Sequence, residues 1–296
     1  GGVMGAGIAA AGFAAVNWPT MSAIAASWVI SPVLGGLIAA LFLALIKSRI
    51  IYQDDKIAAA RKWVPVLVGI MAGAFATYLA LKGLKKIIKI DLPTALIIGA
   101  VVGAGIWAIM IPVIRKQSQG LENRNKSLKV LFGIPLVVSA ALLSFAHGAN
   151  DVANAVGPLA AIVQASQSGN FTEAVSIPIW VMIIGAFGIS FGLFLFGPKL
   201  VRMVGSQITK LNPMRAYCVA LSAAITVIIA SWLGLPVSST HIAVGAVFGV
   251  GFFREWDAER RIKKARIAMP SRPVYAPEER RRRKLVRRSH FMTIVA

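Results

Sequence analysis

Six apolar stretches, at residues 21–46, 63–81, 92–114, 130–146, 176–196 and 214–233, recur along the chain, and nothing constrains its fold more. A helix rises 1.5 Å per residue, so about 20 apolar residues cross the roughly 30 Å of hydrocarbon in a bilayer. Several of these stretches meet that length. With 57% hydrophobic residues and a mean hydropathy of +0.73, the chain is far more apolar than a soluble domain. The expected fold is all-α, a polytopic membrane helical bundle. Three further apolar segments, 1–16, 151–163 and 236–253, are shorter or interrupted by Gly and Pro, and these mark broken or re-entrant helices.

The net charge of +21 would suggest nucleic acid in a soluble protein. Here the Lys and Arg gather between the apolar stretches: five in 47–62, five in 115–129, four in 199–215 and fourteen in 254–288. Cytoplasmic loops of membrane proteins are enriched in these residues, so all four segments are placed inside, and no nucleic-acid partner is expected. Segments 17–20 and 164–175 carry neither Lys nor Arg and are placed outside. The segment 82–91 resists the scheme, because alternation puts it outside although it holds four Lys. The single Cys218 lies in an apolar stretch and reads as a small core residue, which excludes a disulfide framework or a cysteine metal site.

The chain opens inside an apolar Gly-rich run and stops a few residues into another, so it is expected to be an internal piece of a longer protein. One self-similarity stands out. Gly1-Gly2-Val3-Met4-Gly5-Ala6-Gly7 aligns with Gly245-Ala246-Val247-Phe248-Gly249-Val250-Gly251, identical at four of seven positions. The first copy runs into the uncharged 17–20 segment and the second into the basic 254–288 segment. Two copies leaving the membrane on opposite sides are the mark of an inverted-topology repeat. The expected division is a remainder of the first repeat with central spans at 1–129 and a second repeat at 130–253. A basic cytoplasmic loop at 254–288 and the start of a further span at 289–296 follow.

Two segments carry chemistry. In Ser144-Phe145-Ala146-His147-Gly148-Ala149-Asn150-Asp151-Val152-Ala153-Asn154-Ala155-Val156-Gly157-Pro158, Asp151 is the one acidic residue inside an apolar stretch; the other ten read as loop residues. A charge at the bilayer centre costs at least ~2.5–3.5 kcal/mol, so such a residue faces a cavity, a partner or an ion. Asn150 and Asn154 are four apart, Asp151 and Asn154 three apart, His147 and Asp151 four apart, so a helix gathers them on adjoining faces. One carboxylate with amide and carbonyl oxygens suits sodium at Asp151 and Asn150. It suits a proton equally, because burial raises a carboxyl pKa. Hydrogen bonding between helices is the structural alternative. Between 129 and 164 a straight helix would measure about 51 Å, so breaks are expected at His147-Gly148 and Gly157-Pro158.

The other segment is Gly234-Leu235-Pro236-Val237-Ser238-Ser239-Thr240-His241-Ile242-Ala243-Val244-Gly245. Pro236 ends one helix, and three hydroxyl residues precede the next apolar run. Ser and Thr are good N-caps, and a helix N-terminus attracts anions. With no Lys or Arg in the span, a bound anion needs cations to balance it, which is where the Asp151 region fits. His147, His241 and Gly148 stand as secondary candidates.

The two stretches Gly148 to Ala155 and Pro236 to His241, together with Arg287-Arg288-Ser289-His290, resemble the paired signature of the inorganic phosphate transporter (PiT) family. The resemblance covers essentially the whole chain. It implies a multi-pass inner-membrane symporter, driven by sodium or protons, whose two inverted halves each bring an Asn-Asp motif and a Ser/Thr motif to one central site. Asp151, Asn150 and Asn154 would serve the coupling cation, and Ser238, Ser239 and Thr240 the phosphate. The first half's Asn-Asp motif is missing, so residues 1–296 are expected to hold half a site. No cofactor is implied beyond the coupling ion; membrane lipids are the surroundings, and a homo-oligomer is compatible with this reading. A sulfate permease is the rival within transport. A polybasic membrane scaffold is the rival of another class, but it has no use for Asp151. A hydrolase built from Ser239, His241 and Asp151 lacks a Gly-x-Ser-x-Gly elbow and an oxyanion hole, so the chain is read as no enzyme.

Overall fold

Asn17 starts the first long helix: its side-chain oxygen accepts the Thr20 N–H at 3.1 Å, and Pro19 fits the first turn, where an N–H has no helical partner. In the computed structural model, which describes residues 2–82, 91–168, 177–203, 211–233 and 237–268, that helix is the second of nine among the described residues. They are α1 (Gly2–Ala11), α2 (Trp18–Ile46), α3 (Lys56–Lys82), α4 (Leu92–Gln117), α5 (Asn125–Leu131), α6 (Gly133–Ser168), α7 (Ile179–Met203), α8 (Pro213–Trp232) and α9 (Ser239–Ala268). No strand occurs among the described residues. Five helices are long and apolar enough to cross a membrane, six if the bent pair α5–α6 counts as one. The all-helical, multi-pass membrane architecture is the one expected.

Small residues set the helix packing. On α3 and α4, Gly69 faces Gly103 and Gly73 faces Gly99; a Cβ added at Gly69 or Gly73 would stand 2.8 Å from the opposite carbonyl oxygen. Backbones this close need glycine, as in the small-xxx-small pairings of membrane helices. The pairing is antiparallel, so the 82 and 91 ends lie opposite the 56 and 117 ends. Residues 83–90 themselves lie outside the described residues. On α2 and α9, which run parallel, Gly36 meets Gly245 and Gly249, and Gly35 meets Ile242. The glycines that carried the internal repeat therefore also make a close helix contact in their second copy. Gly5, in the first copy, has nothing within 4 Å of an added Cβ.

The core is filled by Leu43, Ile46, Leu67, Ile114, Phe132, Tyr217 and Val247, with Tyr217 donating its O–H to the Leu67 carbonyl at 2.8 Å. Cys218 is fully buried here, as expected. By contrast α7 packs on α6 and leaves Ile179, Ile183, Phe187 and Phe194 exposed, a surface that suits lipid.

The basic segments meet at one end of the bundle. Arg61 donates to the Ser118 hydroxyl at 2.6 Å, Asn123 accepts the Lys56 N–H at 3.0 Å and donates to the Asp54 carbonyl at 2.7 Å. Lys47 pairs with Asp257 at 2.7 Å, and Arg215 and Arg254 lie close enough to Lys47 to act on it electrostatically. The described residues Lys47, Arg61, Asn123, Arg215 and Asp257, drawn from all four Lys- and Arg-rich segments, thus share one end of the bundle.

Two expectations are corrected. The broken element has its break elsewhere: α6 runs unbroken for 36 residues through His147-Gly148 and Gly157-Pro158, and the chain bends by 45° ahead of it, between Asn125–Leu131 and Gly133–Phe145. One Gly weakens a helix and one Pro removes a single bond, and neither need end a helix that neighbours support. Pro135, in the first turn of α6, has no N–H to offer the Leu131 carbonyl, which favours a break at this point, and buried Phe132 packs edge-on against Tyr217 at 5.8 Å beside it. The second correction concerns 254–288, whose first fifteen residues are helical, because α9 continues to Ala268. Glu255, Asp257 and Glu259 therefore sit on a helix and not in a loop. The rest of that segment and the 289–296 span lie outside the described residues.

Candidate functional site

The start of α9 is built as its sequence suggested. Ser238 precedes the helix, and its Oγ accepts the His241 N–H at 3.3 Å while its carbonyl accepts the Ile242 N–H at 3.1 Å. This is an N-cap by a hydroxyl. Ser239 is buried at 2% exposure, Ser238 is half-buried, and Thr240 and His241 are exposed. Two of the three hydroxyls are thus drawn inward at the positive end of a 30-residue helix dipole. Gly234, Leu235 and Pro236 lie outside the described residues.

On α6, the backbone carrying Gly148, Asn150, Asp151 and Asn154 is helical. The side chains of His147, Asn150, Asp151 and Asn154 lie outside the described part of the structure, so their positions follow from register alone. Leu143 packs into a cluster with Tyr78 of α3, Ala223 and Val227 of α8, and Val237 and Ile242 at the start of α9. At about 100° per residue, positions 150 and 154 fall within roughly 20° of Leu143, position 147 within roughly 40° and position 151 at roughly 80°. The opposite face, with Val152, Val156, Leu159 and Ala160, packs on Val181 of α7. So the face of α6 that holds positions 147, 150 and 154 is the one whose preceding turn packs toward the α9 N-terminus, and α8 contacts both helices.

Pro158 adds a backbone feature. It has no N–H, so the Asn154 carbonyl loses the donor that a regular helix would give it. A carbonyl oxygen is thereby released beside the candidate cation residues.

Sequence reasoning missed a hydroxyl on α2. Ser31 is 6% exposed, and its Oγ has no hydrogen-bond partner. Gly35, one turn further along α2, touches Ile242, which lies one turn inside α9 from Ser238. Pro32, next to Ser31, rests on Gly245 of α9, so in these parallel helices Ser31 lies about one turn further along α9 than Ser238 and Ser239. Below it, Ser222 donates to the Gly35 carbonyl and Thr226 donates to the Ser222 carbonyl at 2.9 Å. Ser27 donates to the Ile24 carbonyl at 2.6 Å. Nearly every buried hydroxyl in a native protein has a partner, and among the described residues Ser31 is the exception. The signal available in sequence was the i, i+4 spacing of Ser27, Ser31 and Gly35 in a helix whose other hydroxyls, Thr20 and Ser22, lie in its first turns.

A bundle of helices, five of them long and apolar enough to cross a membrane, with hydroxyls buried at the start of one helix, defines a polytopic membrane protein. The pattern of the Phosphate transporter family matches residues 1–296, and the chain belongs to that family. It is 54% identical over 258 residues to a "Putative phosphate permease" of Helicobacter pylori, covering 86% of this chain and 48% of that protein. It is 37% identical over 292 residues to "Inorganic phosphate transporter 2-1, chloroplastic" of Arabidopsis thaliana, covering 88% of this chain and 48% of that one. A solved structure described as "The sodium-dependent phosphate transporter" superposes with a TM-score of 0.77 at 35% identity, over 86% of this chain and 62% of that chain. The chain spans about half the length of these curated relatives.

Proposed function

We propose that this chain is part of a secondary active symporter of inorganic phosphate in the inner membrane, coupled to sodium and working by alternating access. The observation that carries the reading is the joint packing of Leu143 on α6 with Val237 and Ile242 around the α9 N-terminus. That packing supports a face of α6 directed toward the hydroxyls of Ser238 and Ser239. Phosphate oxygens would accept from those hydroxyls and from backbone amides at the helix start. Asp151, with Asn150, Asn154 and the Asn154 carbonyl, would hold the cation that offsets the anion's charge. The oxygen set suits a hard cation, and the sodium dependence in the structural relative's name favours sodium over a proton. The names of the relatives favour phosphate over sulfate. The basic end of the bundle would be cytoplasmic. The inverted repeat of 1–7 and 245–251 supports a second, matching half.

The test is radiolabelled phosphate uptake by the full-length protein in liposomes, with and without a sodium gradient and with sulfate as competitor. Uptake should need sodium, ignore sulfate, and be abolished by Asp151→Asn and reduced by Ser239→Ala. Uptake that is intact in Asp151→Asn removes the coupling role, and uptake driven equally by a proton gradient alone replaces sodium.

A further inference from the structure

At the basic end, away from these hydroxyls, a cleft of about 690 Å³ opens between the turn after α2 and the far part of α9. Ligand sites commonly have volumes in this range. Its walls bring Lys56, Arg260 and Arg261 together with Tyr52, Asp54 and Asp257. Asp257 is already engaged: Lys47 pairs with it at 2.7 Å and the Tyr52 O–H donates to the same oxygen. Beyond the Lys47–Asp257 pair the walls hold three cations and one carboxylate, Asp54, with Arg261 also drawn toward Asp257. Both guanidinium groups are held on aromatic rings, Arg261 at 4.4 Å from the Tyr52 centroid and Arg260 at 5.2 Å from that of Trp256. Stacking of this kind fixes an otherwise mobile side chain, which lowers the ordering cost of binding. Planar guanidinium forks match phosphate oxygens in pairs, and an ammonium adds a point charge.

We propose that this cleft is a second anion site, one that binds a phosphate-bearing ligand through Lys56, Arg260 and Arg261. The proposal does not rest on the transport reading, since it involves none of the same residues. Position leaves two sources for the same chemistry. Arg260 and Arg261 follow Phe253, the last residue of the apolar run, by seven and eight residues, roughly 10–12 Å along a helix. That distance reaches through the headgroup layer, which is about 5–8 Å deep on each side. A headgroup phosphate of an anionic lipid can enter from the side, and a free polyphosphate from the aqueous face.

The experiment uses the full chain in nanodiscs. In phosphatidylcholine discs, tripolyphosphate is titrated by calorimetry. In discs containing phosphatidylglycerol, retained lipid is counted by native mass spectrometry. Binding is expected in at least one arm, and that arm identifies the source. The double variant Arg260→Gln/Arg261→Gln should weaken it at least tenfold, and Lys56→Gln severalfold, while Lys126→Gln, an exposed cation on α5, should leave it unchanged. Thermal unfolding of each variant checks that it is folded. Absence of binding in both arms overturns the proposal. So does an equal loss in Lys126→Gln, which would reduce the cleft to diffuse charge.

Discussion

Lys47, in the wide turn that ends α2, and Asp257, on the charged extension of α9, form an ion pair at 2.7 Å with side chains only 16% and 15% exposed. Tyr52 donates its O–H to the same carboxylate oxygen. Two helices in contact through their glycines are thus fastened again at the membrane surface.

That pair gives a pH dependence. Burial opposes ionisation of Asp257, but the hydrogen bonds from Lys47 and Tyr52 and the charges of Lys47 and Arg261 outweigh it and hold its pKa below the ordinary value. The unfolded chain, with an Asp pKa near 3.9, then binds the proton more readily. Stability from this group is full above about pH 5 and is lost as pH falls through the lower folded value. Asp257→Asn should cost about 1–2 kcal/mol at neutral pH and flatten the acid limb. Thermal unfolding in detergent from pH 3 to 8 measures both, and an unchanged acid limb in the variant refutes the assignment.

Glycine packing predicts a contrast within one helix pair. A Cβ at Gly73 would stand 2.8 Å from the Gly99 carbonyl oxygen, whereas one at Gly105 meets nothing within 4 Å. Gly73→Ala should destabilise by about 1–3 kcal/mol through overpacking. Gly105→Ala should be neutral or stabilise by up to about 1 kcal/mol, the helix preference of Ala over Gly. Similar unfolding temperatures for the two variants would contradict the α3–α4 contact.

Ser31 separates structure from function in one substitution. A buried hydroxyl without a partner costs about 1–3 kcal/mol, so Ser31→Ala should keep or raise the unfolding temperature. If the hydroxyl serves a bound ion, the apparent affinity of full-length protein for phosphate or sodium should fall roughly two- to tenfold, one hydrogen bond's worth. A stable variant with unaltered uptake kinetics removes Ser31 from the site.

Pro158 offers a similar split. Pro158→Ala restores the N–H and should stabilise α6 by roughly 1–3 kcal/mol, while occupying the Asn154 carbonyl. Sodium activation of uptake should then need more sodium. An unchanged sodium curve would mean that this carbonyl is not a ligand.

Much of this was legible because hydropathy and charge act over whole helices. The long spans came from length and composition, and the shared side of Lys47, Arg61, Asn123 and Asp257 from the distribution of Lys and Arg. Ser238 was readable as a cap because capping is local. The unbroken course of α6 was not, since Gly148 and Pro158 lower helix preference whatever the context, and only neighbours decide whether the helix survives. Nor was Ser31, whose isolation depends on which turn of α9 comes level with it. The extension of α9 past Phe253 was hidden for the opposite reason: charged residues that look like a loop also make good helix surface.

α9 is one uninterrupted rod of 30 residues, about 45 Å from end to end, with capped hydroxyls at its tip and the arginine cleft toward its base. Gly245 and Gly249 rest on Pro32 and Gly36 in its first half, and Asp257 is paired with Lys47 further along. A rod tied to α2 at two heights cannot tilt at one end alone, so the hydroxyl tip and the arginine base share a single orientation against α2.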